Sequence, residues 1–132
     1  MANIFKPPAA VPWDARPSVV LAGSIDMGTA IDWQSEVERG LAAVDCLVLD
    51  PRRDDWDSSW EQSIQNAQVE WELVEWELEG LERATVVAMY VAPDSKAPIT
   101  LLELGLVARA NKAIVCAPKE FWRSGNVHVV CE

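Results

Sequence analysis

Four short apolar runs constrain this chain more than any other feature. They are Ser18–Gly23 ("SVVLAG"), 45–50 ("DCLVLD"), 84–91 ("ATVVAMYV") and 113–117 ("AIVCA"). Each is continuous, not alternating, and rich in β-branched residues, as expected of a strand buried on both faces. The segments between them have helical spacing. A helix is predicted over 29–41, with Val37 and Leu41 one turn apart. The longest helix opens at Ser58 and Glu61, which are spaced as a capping box. It carries a predicted core-facing stripe of Trp60, Ile64, Ala67, Trp71, Val74, Leu78 and Leu81. The stretch 98–110, apolar almost all round, reads as a well-covered helix. A fifth strand is expected at 127–131 ("VHVVC"). Strands alternating with helices through short loops predict an α/β fold with a parallel sheet and right-handed crossovers.

Length and composition narrow the function. The chain has 132 residues, half of them apolar, enough for one domain with a real core. The division expected is an extended proline-rich arm over 1–17 and a single domain over 18–132. A net charge of −10 would repel a nucleic-acid polymer, whereas neutral nucleosides would not be repelled. No apolar run is long enough to span a bilayer, so no membrane partner is expected. The three cysteines, Cys46, Cys116 and Cys131, read as reduced, buried residues of a cytoplasmic protein. With one histidine and no paired cysteines, neither a metal nor another cofactor is expected.

In a parallel sheet, ligands bind beyond the carboxyl ends of the strands. The segments there are "AGSIDMG", "DPRRDDWD", "YVAPDSKAP" and "PKEFWRSGN". They offer Gly23, Ser24 and Asp26 in the first turn, Arg52, Arg53, Asp55 and Trp56 in the second, and Tyr90 and Asp94 in the third. Trp33 adjoins the first turn, and Asn126 precedes the expected last strand. Arg52 and Arg53 could bind a phosphate or simply pair with Asp54, Asp55 and Asp57. Trp33 and Trp56 could stack on a base or pack in the core.

Two acids stand out. Glu103 lies in "PITLLELGL" (98–106), an otherwise uncharged helix start. It is either the acid of a Thr100–Glu103 capping box or a carboxylate facing a pocket, kept ionised by the helix dipole. Glu77 borders the predicted stripe of the long helix. Gly80, one turn on, lowers helix propensity by about 1 kcal/mol and implies a close approach. There is no Ser/His/Asp set and no probable Cys/His pair, so chemistry here would be carboxylate chemistry.

Taken together, "VLAGSIDMGTAIDWQ" (20–34), "LDPRRDDWD" (49–57), "QVEWELVEWELEGLERATVVAMYVAPDS" (68–95) and "LLELGL" (101–106) resemble the nucleoside 2-deoxyribosyltransferase superfamily, in its short deoxyribosyltransferase-like branch. The resemblance implies a flavodoxin-like, three-layer fold of about five mainly parallel strands. It also implies cleavage of the N-glycosidic bond of a nucleoside or nucleotide, with transfer to a free nucleobase or to water. Glu103 takes the place of the family's nucleophile and Glu77 that of the acid that assists the base. Asn126 takes the place of an asparagine lent by a neighbouring subunit, so a homodimer or larger homo-oligomer with a shared site is implied. The chain departs from the family at Ala97, where an aspartate is common and for which Asp94 is the nearby substitute, and at Val20, where some members carry tyrosine. These departures keep open a non-catalytic nucleotide- or nucleoside-binding module on the same fold.

Overall fold

A computed structural model describes residues 1–24, 31–52 and 67–132, with side chains from 71 onward in the last stretch. Its strands are β1 (Asn3–Phe5), β2 (Ser18–Gly23), β3 (Leu47–Leu49), β4 (Val86–Tyr90) and β5 (Ala113–Cys116). Its helices are α1 (Trp33–Leu41), α2 (Ala67–Arg83), α3 (Pro98–Val107, extended by a 3₁₀ turn to Ala110) and α4 (Ser124–Cys131). All five strands are parallel, in the order β1-β3-β2-β4-β5. This is the flavodoxin-like α/β architecture expected from the sequence.

Alternate strand residues face opposite layers, because the side-chain period of a strand is two. Val20, Ala22, Leu47, Leu49, Val87 and Met89 join Leu81, Ala97, Leu104, Val107, Phe121 and Val127 in one core beneath α2, α3 and α4. Leu21 and Val48 face the other way, into a smaller cluster with Trp33 of α1 and Cys46. The described helices therefore divide three to one across the sheet.

Several expectations fail here, each for a physical reason. Residues 127–131 form no strand; they lie in α4. Their valines favour β-structure locally, but only Val127 is buried, while Val129 and Val130 are exposed. A single inward valine suits a short helix leaning on α3. The fifth strand instead comes from the N-terminal arm: Asn3, Ile4 and Phe5 pair with Leu47, Val48 and Leu49. The rest of the arm is docked. Val11 and Trp13 pack on the large core, the Trp76 indole donates to the Ala9 carbonyl at 2.9 Å, and the Arg83 guanidinium lies over the Trp13 ring.

The predicted stripe of α2 is rotated. Trp71, Val74 and Leu78 are exposed, whereas Leu73, Gly80 and Leu81 are buried. Gly80 is the pivot. A Cβ there would sit 3.0 Å from Leu49 Cδ2 and 3.4 Å from Val20 Cγ2. The helix is therefore drawn onto the sheet along its glycine side, turning the larger apolar stripe outward. Trp60 and Ile64, and the Ser58–Glu61 helix start, lie outside the described residues, and so does the side chain of Ala67. Nor is α3 covered all round: Ile99, Leu102 and Leu106 are each at least 60% exposed. Cys46 is buried as expected, but Cys116 and Cys131 are exposed. Among the described residues no helix is long and apolar enough to cross a membrane.

Candidate active site

The chain leaves β2 toward β3 on one side and leaves β4 toward β5 on the other. The carboxyl ends of these two adjacent strands therefore form the point where the topology reverses, the position at which open α/β sheets form their binding crevice. Local chemistry holds the point tightly. At Gly23 a Cβ would collide with the Tyr90 carbonyl oxygen of the adjacent strand, so only glycine permits this approach. The Ser24 amide donates to the Tyr90 carbonyl, and the Ser24 hydroxyl accepts from the Ala92 amide, both at 2.9 Å. The Trp33 indole donates to the Ser24 carbonyl at 3.0 Å, and its ring lies 5.6 Å from that of Tyr90 at a tilted angle.

These contacts show what the candidate residues are doing. Ser24 and Trp33 are buried and stitch β2, β4 and α1 together beneath the crevice. Tyr90 is half-buried at the end of β4, and Asp94 is exposed on the following turn. Asp26, Arg53, Asp55 and Trp56 lie outside the described residues.

Beyond β4 the chain enters α3 through Ala97, the N-cap, held at φ 45° in the left-handed region, with Pro98 as the first helical residue. This geometry decides between the two readings of Thr100 and Glu103. A capping box requires Thr100 at the N-cap, but it lies three residues inside the helix, and α3 has no side-chain cap. Glu103 is the sixth helical residue, on the boundary between exposed Ile99 and Leu106 and buried Val107. The expectation that the dipole keeps it ionised also fails, because that influence fades within the first turn. Burial pushes the Glu103 carboxyl up to about 7 instead. No described residue bonds it.

Glu77 is half-buried one turn before Gly80. Since α2 runs back along the sheet from its carboxyl edge, that turn places Glu77 about 5 Å nearer the edge than the Leu49–Val20 contact. α2 and α3 pack against each other, so the two glutamates belong to neighbouring helices of one layer. Asn126 is elsewhere. With Leu101, Leu104, Gly105, Trp122, Arg123, Val127 and Val130 it lines a cavity of about 300 Å³ between α3 and α4. Helical spacing puts these α3 residues on the flank opposite Glu103, so one subunit does not bring Asn126 and Glu103 together.

The sequence reading overlooked a polar group beside the crevice. Gln34 and Asp50 are fully buried at the start of α1 and the end of β3. The Arg52 guanidinium donates to the Gln34 amide oxygen (3.2 Å) and to the Ile31 carbonyl (2.9 Å). Only the polar residues ending "AIDWQ" and "LVLD" hinted at this group.

The topology reverses here, with one desolvated carboxyl, Glu103, on the helix after β4 and the half-buried Glu77 on the helix before it. The sequence model of the nucleoside 2-deoxyribosyltransferase-like family matches residues 16–121. The chain belongs to that family. The matched span runs from just before β2 to Phe121 and so includes every strand and helix that borders the crevice. Comparison with curated proteins found no match. For a nucleoside 2-deoxyribosyltransferase-like protein, an active site built on carboxylates is chemically coherent, since two acids can divide attack and leaving-group assistance at one sugar carbon.

Proposed function

We propose that this protein cleaves the N-glycosidic bond of a nucleoside or nucleotide and transfers the ribosyl or deoxyribosyl group to a second base or to water. The observation that carries the reading is Glu103, a desolvated carboxyl without a described partner at the edge of the crevice in a chain of this family. In its ionised form Glu103 attacks C1′ and forms a glycosyl-enzyme intermediate. Glu77 assists the departing base with a proton. The incoming base or water then takes the sugar and frees Glu103. Gly23 lets β2 and β4 close under the sugar, while Tyr90 and Asp94 contact it from the β4 side. Asp26, Arg53, Asp55 and Trp56 complete the substrate contacts from the two loops beyond β2 and β3.

The functional unit proposed is a homodimer or larger homo-oligomer. Outward-facing Leu78, Leu102, Leu106 and Val130 give the three-helix layer an apolar surface of the kind that marks an interface. Because Asn126 sits away from Glu103 in its own subunit, it serves the site of a neighbour.

Base exchange tests the reading. The protein is incubated with deoxynucleosides or their monophosphates and a second free base. New nucleoside, or free base alone, supports transfer or hydrolysis respectively. Neither product from any common substrate overturns the proposal, as does unchanged turnover in Glu103→Ala.

A further inference from the structure

Apart from Asn126, the cavity between α3 and α4 has no part in the chemistry proposed above, since it lies on the flank of α3 opposite Glu103. Its apolar character is built into the fold: Leu104 and Val127, which line it, belong to the large core. Gly105 lines it too, and a Cβ there would meet nothing within 4 Å. Packing therefore does not require glycine at this position, unlike Gly23 and Gly80, and helix propensity disfavours it. The absent side chain leaves the groove open. Its volume of about 300 Å³ equals that of about ten waters at ~30 Å³ each, the small end of the range for ligand pockets.

The rim carries charge of one sign. The Trp122 indole donates to the Lys96 carbonyl at 3.0 Å, which holds the ring in place where α4 begins. The Arg123 guanidinium lies 4.6 Å from the centre of that ring and the Lys96 ammonium 5.7 Å. Among the described residues neither cation has a carboxylate within ion-pair distance, and no residue lining the groove is acidic. In a chain of net charge −10, two such cations gathered at an apolar slot are a local exception. A guanidinium stacked by its face keeps its edge N–H groups, and these match a carboxylate in a bidentate pair.

We propose that this groove binds a small amphipathic carboxylate of about ten non-hydrogen atoms. Its apolar chain or ring lies along Leu101, Gly105 and Val130, and its carboxylate pairs with Arg123 while Lys96 adds attraction from the rim. The slot by itself suits a neutral molecule and the cations by themselves suit any anion. A ligand with both an apolar body and a carboxylate satisfies the whole site. The site is complete within one subunit and stands whether or not the glycosidic reading does.

Titration of the full chain with octanoate tests this, read by calorimetry and by NMR shifts of the α3 and α4 amides and the Trp122 indole N–H. Octanoate should bind saturably, with a dissociation constant of about 1 mM or below. Octanamide, of equal length without the charge, and octylamine, of opposite charge, should each bind about tenfold more weakly or worse. Arg123→Gln should weaken octanoate by a similar factor and reduce its advantage over octanamide. Gly105→Leu should fill the groove and abolish binding without lowering the denaturation midpoint, since leucine is the better helix former. No saturable binding, equal affinity for octanamide, or an affinity unchanged in Arg123→Gln or Gly105→Leu each overturns the proposal. So does occupation of the groove by a second copy, seen as α3–α4 shifts that follow protein dilution and sizing but not octanoate. The arginine variant keeps the test decisive should Gly105→Leu fail to fold.

Discussion

The two faces of the sheet solve the same covering problem in opposite ways. The single helix α1 presents a polar exterior, with an exposed Glu36–Arg39 ion pair, and turns Gln34 and the half-buried Glu38 inward, on the side of the sheet where buried Asp50 follows β3. The three-helix layer has an apolar interior and, on α3, an apolar exterior as well, with Ile99, Leu102 and Leu106 exposed; its half-buried acid, Glu103, lies on that same helix. An amphipathic helix such as α1 is finished once its inner stripe is buried. A helix as apolar as α3 is not, and Ile99 and Leu106 remain 60% exposed, the surface assigned to a second subunit in the proposed assembly.

Substitutions can break this contrast, and the largest effect is expected at Glu103. Glu103→Ala should reduce glycosidic-bond cleavage by about a thousandfold or more without loss of cooperative unfolding, measured by base exchange and by denaturant titration. In the wild type, activity should rise as pH passes through about 7, because the attacking form is ionised and burial holds the carboxyl near that value.

Next comes the seam where both faces meet. Gly23→Ala would force a Cβ against the Tyr90 carbonyl, which is backbone and cannot step aside. It should destabilise the fold by about 3 kcal/mol or more. Gly80→Val, meeting Leu49 and Val20 instead, should destabilise by about 1–3 kcal/mol. Denaturation midpoints rank the two; equal midpoints would mean that the strands part as easily as α2 lifts.

The pH dependence of stability separates the two acids. Each is raised from 4.5 to about 7. The native state therefore binds more protons than the unfolded state, and stability present below pH 4.5 is lost as pH rises to about 7. Glu103→Gln should remove about 1–3 kcal/mol of that dependence from global unfolding, whereas Glu38→Gln should act chiefly on α1.

The smallest effects are expected outside. Leu106→Glu should alter stability by no more than about 0.5 kcal/mol yet convert an assembly to monomer on sizing. Arg39→Ala, breaking an exposed pair on α1, should change stability by about 0.5 kcal/mol or less and leave assembly untouched.

Much of this was legible in the chain. Continuous apolar runs marked β2, β3, β4 and β5 as parallel strands, and β2 and β3 are buried as such runs imply; β5, at the edge of the sheet, is not, since Ile114 and Cys116 are exposed. The order of those runs and helices implied the crevice, and the motifs implied Glu103 and Glu77. Three features came only with tertiary structure. "VHVVC" is helical because one inward valine, not an alternating set, finds a core. Asn3–Phe5 became a strand because β3 offered an open edge. The ionisation of Glu103 was set by burial, since helix register put it in the second turn, beyond reach of the dipole. Local pattern determines which segments are strands or helices. Which face turns inward, and which acid loses its water, depends on neighbours distant in sequence.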